Sequence, residues 1–305
     1  MLTDRARGCL LGLAVGDALG TTLEFSPRNA QPRQTEVTGG GPFRLRPGEW
    51  TDDTAMALAL GESLVACRGF DPRDAMDRFV AWWRDGAYSC TGTCFDIGVT
   101  TAQALGRYRR AGDPFAGPAA EDTAGNGSLM RLAPAPLFTL ADVVEADRLA
   151  REQSRLTHGA PQAVEACAFF AALLREAVLG MNKEAVLAPR AWDGDAAVRA
   201  VAGGGWHRRD RAAVRASDYV VHTLEAAVWA VGRTESFEDA LVLAVNLGED
   251  ADTVGAVTGQ LAGALHGEGG IPEHWLAPLA WRERITDLAD ALVRCGRATS
   301  PGSGR

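Results

Sequence analysis

Alternating β-branched residues are scarce in this 305-residue chain, and with them goes the period-two pattern that a half-buried strand requires. No stretch approaches the ~20 apolar residues of a membrane-spanning helix. The opening stretch MLTDRARGCLLGLAVGDALG has the outline of a signal peptide, yet Asp4 and Asp17 bracket an apolar run of only residues 9–15, and no small-residue cleavage site follows it. Positive charge is also in deficit. The formal net charge of −8 supplies no overall field to gather phosphate backbones, which excludes nucleic-acid binding by bulk electrostatics and leaves nucleic acid only as a modified substrate. The six cysteines (Cys9, Cys67, Cys90, Cys94, Cys167, Cys295) are scattered, and no second pair joins Cys90 and Cys94 to complete a zinc pattern. Reduced thiols in a soluble, cytoplasmic protein are the expectation. The five histidines (His158, His207, His222, His266, His274) form no HExxH motif and no adjacent His-Asp pair, which argues against zinc proteases and helical His-Asp phosphohydrolases. A P-loop, a Gly-x-Ser-x-Gly elbow and a dinucleotide-binding glycine fingerprint are missing too.

What is present is alanine and leucine at helical spacing, so pattern and propensity both predict an all-α chain. Helices are expected over 54–67, 74–84, 98–108, 129–138, 142–156, 160–179, 219–231, 237–245, 253–266 and 276–293. Glycine and proline clusters between them are short, none long enough for an interdomain linker. One domain over 1–295 and a frayed tail over 296–305 follow, with no repeat of fixed period. The basic run 206–211 beside a glycine triplet reads as an exposed loop.

Two helix starts carry more acid than a helix start needs. Glu49-Trp50-Thr51-Asp52-Asp53-Thr54 opens one apolar helix, and Glu249-Asp250-Ala251-Asp252-Thr253 opens another some 200 positions on. Capping explains one oxygen at the N-cap and one acid a turn later, a contribution of ~1 kcal/mol per end. Here adjacent carboxylates and a hydroxyl are left over at each. Were the two starts to converge, each like-charge pair near 4 Å would cost ~4 kcal/mol at an effective dielectric of 20, so convergence would require protonation or bound cations. Hydroxyl and carboxylate donors suit octahedral Mg²⁺ or Mn²⁺.

With these motifs in view the chain resembles the ADP-ribosylglycohydrolases, the group containing the hydrolase that reactivates ADP-ribosylated dinitrogenase reductase. The matching stretches run in order along nearly the whole chain: GCLLGLAVGDALG at 8–20 with Glu24-Phe25, WTDDT at 50–54, FDIG at 95–98, GNGSLMR at 125–131, Thr157-His158 and NLGEDADT at 246–253. Residues 219–229, YVVHTLEAAVW, also look like bacterial members. The resemblance implies a compact single-domain helical bundle with two divalent cations, Mg²⁺ or Mn²⁺, at the floor of a cleft. It implies metal-holding roles for Thr51, Asp52, Asp53, Asp250, Asp252 and Thr253, and catalytic roles for Glu24 and Asp96. It places Asn126, Gly127, Ser128, Met130 and His158 against the substrate, the glycine loop beside the diphosphate and distal ribose. One departure is the Asp122-Thr123-Ala124 segment before that loop, where family members often carry an aromatic or serine. Glu249 is another, at a position where glycine or aspartate is frequent.

The implied activity is hydrolysis of the glycosidic bond between the distal ribose of ADP-ribose and an acceptor on a protein or small conjugate, by a monomer. Such a reaction passes through an oxocarbenium-like state and needs a positioned water and a proton carrier. Two other readings are an ADP-ribose-binding pseudoenzyme and a metal-dependent nucleotide phosphohydrolase. Retention of every metal-holding position speaks against the first, and release of AMP would mark the second.

Overall fold

The computed structural model describes residues 1–299, and among these the chain is all helix, with isolated bridges but no strands. In chain order the helices are α1 (Leu2–Gly20), α2 (Asp52–Cys67), α3 (Pro72–Asp85), α4 (Val99–Ala111), α5 (Pro134–Phe138), α6 (Val143–Arg155), α7 (Pro161–Val178), α8 (Lys183–Val186), α9 (Ala196–Ala202), α10 (Val220–Gly232), α11 (Phe237–Val245), α12 (Ala251–His266), α13 (Glu273–Leu276) and α14 (Arg282–Thr299). No helix among them is long and apolar enough to cross a membrane.

The central pair is α1 against α12. Gly8, Gly12, Gly16 and Gly20 recur every fourth residue and so line one face of α1, as Gly255, Gly259 and Gly263 do on α12. These faces meet backbone to backbone in antiparallel order. A Cβ on Gly12 would lie 2.2 Å from the Gly259 carbonyl oxygen, one on Gly16 2.1 Å from that of Gly255, and one on Gly8 2.4 Å from that of Gly263. Side-chain-free faces let the axes approach more closely than the 8–10 Å usual for packed helices. The seam lays the carboxyl end of α1, with Asp17, beside the amino end of α12, with Asp252. A Cβ on Gly20 would reach 2.2 Å from the Ala251 carbonyl oxygen.

Several expected helices stand close to their boundaries, residues 237–245 among them. The stretch 129–138 is shorter than expected: it turns through Leu129–Leu132 and becomes helical only at Pro134, whose fixed φ suits a first helical position. The stretch 276–293 is divided, since Pro278 and a left-handed Trp281 (φ 59°) separate α13 from α14. The expected tail begins later, because α14 continues to Thr299 with Gly296 buried against the Phe138 carbonyl; residues 300–305 lie outside the described residues. Helix α1, α8 and α9 were not among the expected helices. The basic run 206–211 is at the surface, except that Trp206 is buried with Gly232 against its ring.

Candidate active site

Where this chain caps a helix with a side chain, the bonds are plain: Asp71 accepts from the N–H groups of Arg73 and Asp74, Asp142 from Val144 and Glu145, Asp195 from Ala197 and Val198. Thr51 and Asp250 occupy the N-cap positions of α2 and α12 and make no such bond. Asp250 Oδ2 accepts from Asn126 instead, and Thr51 turns its hydroxyl toward the other segment. Thr51 Oγ1 lies 3.3 Å from Asp53 Oδ2 and 3.4 Å from Asp252 Oδ2, so the two acidic starts meet. Asp53, Asp252 and Thr51 are buried, and Asp53 Oδ1 has no hydrogen-bond partner among the described residues.

The carboxylates fall into two groups that share one member. Asp17, Asp53 and Asp252 bring one oxygen each within 4.8 Å of one another, and so do Glu24, Asp96 and Asp252. The first group is the deeper; the second, with Asp52, Asp250 and Thr253, lines a cleft of about 580 Å³. Burial and mutual repulsion hold Asp17, Glu24, Asp52, Asp53, Asp96 and Asp250 in their protonated form above the ordinary carboxylate range. Desolvation and Asp252 push Asp17 up to about 7, Asp250 up to about 8 and Asp96 up to about 9. Glu24, Asp52 and Asp53 are raised as well, burial being the largest cause for each. A buried carboxylate oxygen without a partner amid hard-oxygen donors fits divalent cations.

Asp17 is a member of this site that sequence reasoning passed over. It sits alone among apolar residues and glycines on α1, a helix buried nearly all round, so its charge had to be buried too. Asp17 Oδ1 accepts from the Thr51 N–H and hydroxyl, both at 2.9 Å, and Oδ2 from the Thr54 N–H at 3.1 Å and hydroxyl at 2.6 Å. Both of its oxygens dock the first turn of α2 onto α1. Asp17→Asn puts an amide NH₂ opposite an N–H and a hydroxyl, and is expected to cost about 2–3 kcal/mol. Chemical denaturation checks this; a variant as stable as the parent would show that Asp17 does not hold α2.

Glu24 is buried on the loop after α1, and its Oε2 accepts the Ala251 N–H at 3.1 Å. Asp96 stands on the loop before α4 with a left-handed backbone (φ 57°) and does not cap that helix, whose N-cap is Gly98. Asn126 donates to Asp250 Oδ2 at 2.6 Å and to Thr223 Oγ1 at 2.9 Å, tying the glycine loop to the acidic floor. Gly127 has His158 pressed against it: a Cβ there would lie 2.7 Å from the ring's Cε1. Burial, helped by Arg131, lowers His158 to about 3 and keeps the imidazole neutral. Met130 lines the cleft with Asn126, Gly127 and His158. The Ser128 side chain does not belong with them, because its hydroxyl bonds Ser154 Oγ at 2.8 Å and Cys167 Sγ at 3.4 Å beneath the loop. The buried Arg131 guanidinium braces the same region, donating to the Gln153 side chain and carbonyl and lying 4.6 Å from the Phe79 ring centroid.

Residues 1–301 match the model of the family described as ADP-ribosylglycohydrolase. The chain belongs to that family. ADP-ribosylarginine hydrolase Tri1 of Serratia proteamaculans (strain 568) is 44% identical over 289 residues, covering 95% of this chain and 79% of that protein. The ADP-ribosyl-[dinitrogen reductase] glycohydrolase of Rhodospirillum rubrum is 36% identical, covering 95% and 96%. A solved structure described as an "ADP-ribosylglycohydrolase-related protein complex" superposes with a TM-score of 0.87 at 48% identity, over 97% of this chain and 99% of that one. As a member of the ADP-ribosylglycohydrolases the chain is a glycosidic-bond hydrolase that removes ADP-ribose from an acceptor.

Proposed function

We propose that this enzyme is an ADP-ribosylhydrolase acting on arginine-linked ADP-ribose in a modified protein, with two divalent cations, Mg²⁺ or Mn²⁺, as cofactors. The observation that carries it is the meeting of the 51–53 and 250–253 segments with their oxygens uncommitted to capping. Thr51, Asp52, Asp53, Asp250, Asp252 and Thr253 would hold the cations. The arginine linkage is taken from the Serratia relative and from one in Pseudomonas putida (strain GB-1), 45% identical and also named ADP-ribosylarginine hydrolase Tri1. One domain over residues 1–295, a monomer in the cytoplasm, belongs to the same reading; the free thiols Cys9, Cys67, Cys90, Cys94 and Cys167 suit a reducing compartment.

In the reaction the bond between the anomeric carbon of the distal ribose and the acceptor nitrogen breaks. Water oxygen bonds to that carbon, and a proton goes to the departing nitrogen. Held by the residues named above, the cations would supply Lewis-acid activation of the attacking water. Glu24, anchored by the Ala251 N–H at the cleft floor, carries the proton, and Asp96 from the facing loop orients the ribose. The Gly127 N–H donates to no acceptor among the described residues and Gly127 lines the cleft, which leaves it for the diphosphate. Neutral His158 supports that loop without placing a proton in competition with Glu24. The direct test is release of intact ADP-ribose from an ADP-ribosyl-arginine peptide with Mg²⁺ or Mn²⁺. AMP as product would favour a phosphohydrolase, and binding without turnover a pseudoenzyme.

The acid cluster also fixes a pH dependence. Asp17, Asp250 and Asp96 hold protons in the fold up to about 7, 8 and 9 but release them near 4 when unfolded. Their folded values are raised, so the stability they contribute is complete below about pH 4 and is lost as pH rises through 7 to 9. In EDTA the melting temperature is expected to fall between pH 5 and 9, and Mn²⁺ to restore it most at the alkaline end. Scanning calorimetry with and without Mn²⁺ measures this; a metal-free melting temperature that climbs over that range would contradict the reading.

A further inference from the structure

Three phenylalanines from three separate loops meet at the Glu24–Asp96 side of the cleft. The Phe25 and Phe43 rings are 6.2 Å apart and edge-on at 72°, and those of Phe43 and Phe95 are 5.2 Å apart and tilted at 51°. Core aromatics pack this way, yet Phe25 is 67% exposed. Each loop also carries a residue other than glycine in the left-handed region: Phe25 itself (φ 58°), Arg44 beside Phe43 (φ 56°) and Asp96 beside Phe95 (φ 57°). Such backbone costs of order 1 kcal/mol or more per residue and persists where surroundings enforce it. Backbone hydrogen bonds enforce it. Phe25 N–H donates to the Glu249 carbonyl at 2.8 Å and Glu249 N–H returns a bond to the Ser26 carbonyl at 2.7 Å, while Gly40 and Leu45 exchange both backbone bonds to close the turn that presents Phe43.

Carboxylates stand around this apolar cluster. Glu24 and Asp96 adjoin Phe25 and Phe95 in sequence, and both line the cleft with Phe25 and the exposed Glu249. The exposed Phe25 ring, which lines the cleft beside these carboxylates with Phe43 and Phe95 packed behind it, attracts a flat, weakly hydrated cation, which a guanidinium is and an ammonium or neutral ester is not. We propose that Phe25, Phe43 and Phe95 form the acceptor subsite and that it recognises the planar cation of the modified arginine side chain. This rests on the ADP-ribosylhydrolase reading, with the glycine loop 125–128 taking the other end of the substrate.

The experiment compares an ADP-ribosyl-arginine peptide with O-acetyl-ADP-ribose, whose acceptor is small and uncharged, for the parent enzyme and for Phe25→Ala, Phe25→Leu and Phe25→Trp. An exposed ring can be exchanged without touching the core, and the melting temperature verifies it. Phe25→Ala and Phe25→Leu are expected to raise KM for the arginine peptide about three- to fivefold with kcat within about twofold. KM for O-acetyl-ADP-ribose should move less than about twofold, and Phe25→Trp should keep the parent KM for the peptide. Equal rises on both substrates would place Phe25 against ADP-ribose itself and overturn the proposal. So would a Phe25→Leu variant matching the parent, since leucine keeps the apolar contact and removes the ring. A parent enzyme that cleaves O-acetyl-ADP-ribose but not the arginine peptide sinks the subsite alone, whereas one that cleaves neither removes the underlying reading.

Discussion

Glu24→Gln is expected to lower kcat on ADP-ribosyl-arginine by about 10²–10⁴-fold while leaving Mn²⁺ binding and KM nearly unchanged. Glutamine keeps the length and an oxygen for the Ala251 N–H, so the loop after α1 stays in place and only proton transfer is lost. The retained shape makes the result interpretable. Calorimetric titration with Mn²⁺ alongside single-turnover kinetics separates the two roles: wild-type turnover at full metal occupancy would remove Glu24 from proton transfer. Loss of Mn²⁺ binding would instead move it among the ligands.

Gly259→Ala should be among the costliest single methyls in the described residues. Its Cβ would fall 1.9 Å from the Gly12 carbonyl oxygen, and that atom is backbone in the middle of α1, with no rotamer to turn. The helices must part, and overpacking of this kind costs about 3 kcal/mol, roughly 5 °C in melting temperature for a chain of this size. Activity should fall further than stability alone dictates, because Asp17 and Asp252 ride on the two helices being separated. Calorimetry and kcat on the same preparation test this. A variant melting within about 2 °C of the parent would mean that the seam is looser than its geometry indicates.

The all-α class and most helices were readable from alanine, leucine and the apolar period, since both act locally. The acidic starts were readable as chemistry because they hold more oxygen than capping uses. That they converge was not, since no local rule says which helix lies beside which. The clue was in the chain nonetheless. Glycine at every fourth position from 8 to 20, answered from 255 to 263, marks two faces made for close contact, and it accounts for Asp17, which the surplus-acid argument left aside. Ser128 is the opposite case: motif position put it in the substrate loop, while its hydroxyl bonds Ser154 and Cys167 below that loop. The aromatic cluster was out of reach of any pattern, because Phe25, Phe43 and Phe95 meet through three loops whose left-handed residues carry no reliable sequence signal.

Floor and rim are built by different means, and this bears on how the chain can change. The spacing of Asp17 and Asp252 is set by main chain resting on main chain, which ordinary substitution in the surrounding core cannot tune by tenths of an ångström. The aromatic rim hangs on short loops outside that seam. Descendants of this enzyme can therefore exchange one modified residue for another through a few rim replacements while inheriting the hydrolytic machinery intact.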